Sequence, residues 1–80
     1  MDIDHLQFIH DLVMQFCENM EIGNVSDEAD IIGPAPWYRV PPSEHRHVFV
    51  RPLAMLVAQG ELPLEFAGYD SKQRALYRKV

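Results

Sequence analysis

The stretch that most constrains the fold is Val48–Val80, VFVRPLAMLVAQGELPLEFAGYDSKQRALYRKV. Val48, Phe49, Leu53 and Leu56 fall on one face of a helix running from Ser43, a good N-cap, towards Gln59, and Gly60 stands where the helix should stop. Beyond it the period changes to two. Leu62, Leu64 and Phe66 lie on one side and Glu61, Pro63 and Glu65 on the other, which is strand alternation. Gly68-Tyr69-Asp70-Ser71-Lys72 is turn chemistry, and Arg74–Val80 returns as a second strand; Ser71 would equally cap a short helix of strong formers from Lys72, and we favour the strand. Pro52 removes one ladder hydrogen bond and disfavours helix at Arg51, so this helix either kinks there or begins there with Pro52 at its first position.

At the other end, Leu6, Ile9, Leu12, Val13, Phe16, Cys17 and Met20 recur at helical spacing over residues 3–21, with Asp2 or Asp4 as cap and Gly23 suited to the C′ position. His5 reads as packing at the edge of this stripe, and Cys17 as a small buried hydrophobe rather than a nucleophile, since no base is assigned to it by spacing. Val25–Ile32 predicts a short helix capped by Ser26 or Asp27, with carboxylates in the first turn where the helix dipole favours them. Gly33-Pro34-Ala35-Pro36 predicts an extended linker, and Trp37-Tyr38-Arg39-Val40 before Pro41-Pro42 a short edge strand, with Trp37 in the core. The expected architecture is α+β: one domain over residues 1–80, three helices and a C-terminal β-hairpin.

Eighty residues support a single core that buries about 60% of the unfolded chain's surface. A 48% hydrophobic content with 24% charged residues is globular, and no apolar run is long enough to span a membrane. Met1-Asp2-Ile3-Asp4 lacks the basic segment of a signal peptide, and the lone Cys17 has no disulfide partner in the chain, so a cytoplasmic location is expected. His45-Arg46-His47 has no second ligand cluster for zinc, Asp27-Glu28-Asp30 lacks the spacing of a calcium loop, and no catalytic signature is present; neither metal, cofactor nor enzymatic activity is expected.

Charge is divided along the chain. Residues 1–38 carry eight carboxylates and no Lys or Arg, a charge of −8, whereas residues 39–80 carry all seven basic residues and sum to +3. Asp4, Asp11 and Glu18 align on the first helix with no lysine or arginine three or four residues away, and Glu21, Asp27, Glu28 and Asp30 follow. Phe8 and Met14 project away from the main stripe, either as contacts for a partner beside these carboxylates or as a second layer of core. Such a face suits a basic nucleic-acid-binding surface of another protein, because carboxylates and phosphates both present anionic oxygens to Arg and Lys.

The order of helix, short acidic helix, possible strand, third helix ending in Leu56-Val57-Ala58-Gln59-Gly60-Glu61-Leu62 and hairpin ending Leu76-Tyr77-Arg78 resembles a winged-helix domain. For its DNA-binding members, the resemblance would place residues 44–59 in the major groove of duplex DNA and the turn near Lys72 on the backbone, with Arg46, Arg51, Lys72, Arg74, Arg78 and Lys79 as contacts. A pI near 5.1 runs against that use. In size, charge and lack of a catalytic site the chain is also similar to small acidic phage-encoded inhibitors, including anti-CRISPR proteins, which would make it a nucleic-acid mimic.

Overall fold

The computed structural model describes residues 3–80. In chain order it contains α1 (Ile3–Cys17), β1 (Val25–Asp27), α2 (Glu28–Ile32), α3 (Pro34–Arg39), α4 (Arg51–Ala58), β2 (Leu64–Tyr69) and β3 (Ala75–Lys79). The three strands form one antiparallel sheet in the order β1-β3-β2, so the expected α+β class and C-terminal hairpin are both present. Glu65 pairs with Arg78 and Phe66 with Tyr77, and a bulge between Phe66 and Tyr69 resets the register so that Tyr69 meets Ala75.

The core lies between the helices and one face of the sheet. Ile9, Val13, Cys17 and Met20 from the first stripe meet Ile31, Ile32, Trp37, Phe49, Leu53 and Leu56, while Leu62, Leu64, Ala75 and Tyr77 close it from the sheet side. Leu6, Leu12 and Phe16 pack around them partly buried. Asp4 lies in the first turn of α1, and Asp2, the other expected cap, lies outside the described residues.

Three local expectations are corrected. The first helix ends at Cys17, four residues early, because the following turns tighten: the amides of Asn19 and Met20 donate to carbonyls only three residues back. Gly23, at φ 93°, does not cap it but swings the chain into the sheet, its N–H reaching the Lys79 carbonyl at 2.8 Å. Second, Val25–Asp27 is a strand on β3, and only Asp27 behaves as expected, accepting from the Asp30 amide at 2.8 Å as the N-cap of α2.

Third, Trp37–Arg39 belongs to a helix, not an edge strand, and Pro34–Pro36 is its first turn rather than a linker. Pro34 and Pro36 both occupy the first turn, where backbone N–H groups have no partner within the helix, so their missing donors cost nothing. The first donor is Trp37, whose N–H bonds the Gly33 carbonyl at 3.0 Å. Val40 ends the helix in extended backbone, as the residue before Pro41 should.

Pro52 also finds its explanation. The chain is helical from Pro42 onward, passing through a 3-10 turn (Pro42–Glu44) and a π-helical turn (Arg46–Val50) before α4, and Pro52 sits at the second position of α4. Within the π turn the Arg51 N–H reaches the Arg46 carbonyl, five residues back. In a regular α-helix residue 52 would donate to the carbonyl of Val48, and proline has no donor. The ring of His5 supplies one instead, with Nε2 at 2.7 Å from that carbonyl. His5 is therefore a donor across 43 residues of chain rather than edge packing. His5→Leu keeps the bulk and removes the donor, and is expected to lower stability by about 1–2 kcal/mol, read from urea midpoints, with His5→Gln recovering part of the loss.

Candidate functional site

Two surfaces carry the sequence-derived candidates, and a third region emerges only in three dimensions. On α1 and the turn that follows it, positions 4, 8, 11 and 18 are separated by four, three and seven residues and so share a stripe opposite the buried one. Asp4, Asp11, Glu18 and Phe8 are all exposed, Phe8 to 55%. Asp11 accepts from Gln7 Nε2 at 2.9 Å and pairs with His10 Nδ1 at 3.1 Å, and these bonds, that from His10 first, hold its carboxyl below the usual aspartate range. Glu21 and Asp30 are exposed as well. Met14 packs partly buried against the core, so of its two readings the second layer of core is the one realised.

Asp27 and Glu28 do not belong to that open surface. Asp27 is occupied as the cap of α2 and by Arg74, whose Nη1 lies 3.6 Å from Oδ2. Glu28 is 6% exposed, because positions 28, 31 and 32 share one face of α2 and both isoleucines are buried.

The basic residues are dispersed. Arg74 faces Asp27, and Arg78 Nη1 donates to Glu65 Oε1 at 2.8 Å across the hairpin. Lys79 is half-buried in β3, with its backbone bonded to Asn24; Lys72 sits in the turn, where its amide donates to Asp70 Oδ1 at 2.8 Å. Arg46 and Arg51 are exposed at either end of the π turn.

The third region is a groove of ≈ 600 Å³ between α4 and the hairpin. Val50, Ala54 and Val57 form one wall, and Phe66, Tyr69 and Tyr77 the other. Phe66 stands edge-on to both tyrosines, 5.2 Å from Tyr69 and 6.1 Å from Tyr77 between ring centroids, yet Phe66 is 53% and Tyr69 67% exposed. Glu28 forms the floor, with Arg46 and Gln73 at the rim. Oε2 of Glu28 has no hydrogen-bond partner, and among the described residues it is the one buried side-chain polar atom so left. Burial pushes the Glu28 carboxyl up; a backbone hydrogen bond from Ala75 opposes this, Asp27 adds to it, Arg74 opposes it, and Asp70 adds again. The Tyr77 phenol beside it is pushed up to about 12, first by burial and then by Glu28.

Among the described residues no three His, Cys, Asp or Glu side chains come together as a metal site. Burial pushes the Cys17 thiol up, which disfavours the nucleophilic thiolate. His45 is committed to structure, its Nε2 lying 2.7 Å from the Trp37 carbonyl and 2.8 Å from that of Val40. No helix among the described residues is long and apolar enough to cross a membrane.

Comparison with known protein families, with characterised proteins and with solved structures found no match.

Proposed function

We propose that this chain is a non-enzymatic protein-binding module, an inhibitor whose acidic face occupies a basic nucleic-acid-binding surface of a partner protein. The observation that supports it is the exposed stripe of α1: Asp4 and Asp11 lie along the helix with the exposed ring of Phe8 between them, and Glu18 continues their line in the turn that follows. Carboxylates set on a helix meet arginine and lysine with little ordering cost, and an aromatic side chain among them supplies the apolar anchor that charge alone lacks. Glu21 and Asp30 extend the negative field. In this the chain is similar to the small acidic phage-encoded inhibitors.

The test is capture of the partner from a nuclease-treated lysate, followed by affinity measurement with Asp11→Lys, Glu18→Lys and Glu21→Lys combined. All three residues are exposed, so thermal stability should change little. Affinity should fall at least about tenfold, and the captured protein's own binding to nucleic acid should be blocked by the wild-type chain alone. Unchanged affinity at physiological salt overturns the reading.

A second reading, a winged-helix-like regulator of duplex DNA, is supported by a helix that stops at Gly60 ahead of a hairpin and by the exposure of Arg46, Arg51 and Lys72. Against it, Arg74 and Arg78 are engaged by carboxylates. It predicts affinity for duplex that falls steeply with salt and weakens in Arg46→Ala or Arg51→Ala; no shift of duplex mobility at low salt removes it.

A further inference from the structure

Glu28 takes a backbone hydrogen bond from Ala75 but is only partly satisfied by the fold. One of its oxygens is buried without a partner, and leaving a buried acceptor unmade costs stability, more so when it is charged. Its side chain lines the groove between α4 and the hairpin. Along it stand Phe66, Tyr69 and Tyr77, whose ring faces attract cations, and two of these rings are left half or more exposed. A group that is both cationic and long-stemmed answers all of this at once, with its head on the carboxyl and its stem along Val50, Ala54 and Val57.

The groove is also larger than one side chain needs, and β2, which supplies Phe66 and Tyr69, is an edge strand of the sheet. An edge strand offers unpaired backbone groups to an extended segment, with its side chains entering the neighbouring pocket. We propose that this groove receives an arginine or lysine side chain carried on an extended, otherwise apolar segment of a partner protein, with Glu28 as the recognising group. The site deepens the reading above and rests on it for the basic character of the partner, but it uses neither α1 nor its carboxylates. Arg46 at the rim forms no ion pair with Glu28 among the described residues and competes with an incoming cation for it.

The probe is acetyl-Leu-Arg-Leu-amide, titrated at millimolar concentration into the ¹⁵N-labelled chain, beside the same peptide with citrulline, which keeps the shape and removes the charge. The arginine peptide should shift amides of α4 and of the hairpin from Phe66 to Tyr77. Citrulline in the peptide, or Glu28→Gln in the protein, should weaken the effect by about tenfold or more. Arg46→Ala should leave binding intact or strengthen it. The α1 variant carrying Asp11→Lys, Glu18→Lys and Glu21→Lys should keep the shifts, so the groove can stand where the acidic face fails, and the reverse. Absence of shifts, equal response to citrulline, or an unchanged response in Glu28→Gln overturns the proposal; loss of the shifts in the α1 variant places the peptide on the acidic face and overturns it too.

Discussion

Replacing Trp37 with alanine is expected to lower stability by about 3–5 kcal/mol. The side chain is 5% exposed and holds together elements with little else in common. Its ring stacks on Phe49 at 5.5 Å with 22° between planes, and the His45 ring lies 4.0 Å away. His45 in turn is fixed by its hydrogen bonds to the carbonyls of Trp37 and Val40 at the end of α3. Truncation therefore opens a cavity and loosens the imidazole that closes this helix against the next one. A domain of this length has about 4–12 kcal/mol in total, so the loss is a large share of it. With each kcal/mol worth about 4–8 °C at this size, the midpoint should fall by about 12 °C or more. Because Trp37 is the chain's single tryptophan, the melt is followed by far-ultraviolet circular dichroism, and Trp37→Phe should recover much of the loss. A shift of only a few degrees would mean that the stack does not anchor α3.

Glu28→Gln is expected to stabilise the protein at neutral pH and to lose that advantage in acid. Burial holds the folded-state carboxyl above its ordinary value of 4.5, Asp27 and Asp70 push in the same direction, and Arg74 and the Ala75 backbone oppose them. A group raised in the folded state favours folding fully when the pH is below its unfolded value, and that contribution is lost as pH rises through the folded value. Wild type should thus weaken relative to Glu28→Gln on going from below pH 4.5 to pH 7. The gain for the variant at pH 7 should be about 1 kcal/mol, the extra cost of burying a charge, because the glutamine side chain still leaves a polar atom without a partner. Paired urea titrations across this range read it directly. A difference that is constant with pH would mean that Glu28 ionises as it does in the unfolded chain. Greater stability combined with weaker peptide binding is what a recognition group, rather than a structural one, would give.

Periodicity located the first helix and the first hairpin strand, though not their ends. The 3.6-residue stripe from Leu6 to Met20 became the inner face of α1 and the turn after it, and the two-residue alternation from Leu62 to Phe66 became the edge of a hairpin. The glycine at the helix end is real as well, since Gly60 adopts φ 74°, which only glycine takes without strain. Proline misleads at α3: Gly33–Pro36 reads as an extended linker, although both prolines fit a first turn. The acidic face is legible in the spacing, which aligns positions 4 and 11 on α1 with position 18 in the turn beyond it. It was overextended at Asp27 and Glu28. The i, i+3, i+4 relation of Glu28 to Ile31 and Ile32 was already the sign that this carboxylate turns inward.

The sequence by itself determined the amphipathic first helix, the glycine stop and the first strand of the hairpin, and with them favoured the α+β class, because each rests on spacing or hydrogen bonds within a few residues; the segment after Ser71 suits either strand or helix, and pairing with β1 and β2 makes it a strand. Tertiary structure decided the rest. Three residues at Val25–Asp27 carry no strand period and become β1 only because β3 presents an edge to them. The Val48 carbonyl opposite Pro52 finds its donor in a histidine 43 residues away. The groove exists because α4 and the sheet leave a gap over Glu28, a void with no sequence neighbours to announce it. Such features depend on which donor, edge or side chain arrives from a distant part of the chain, and only packing fixes that.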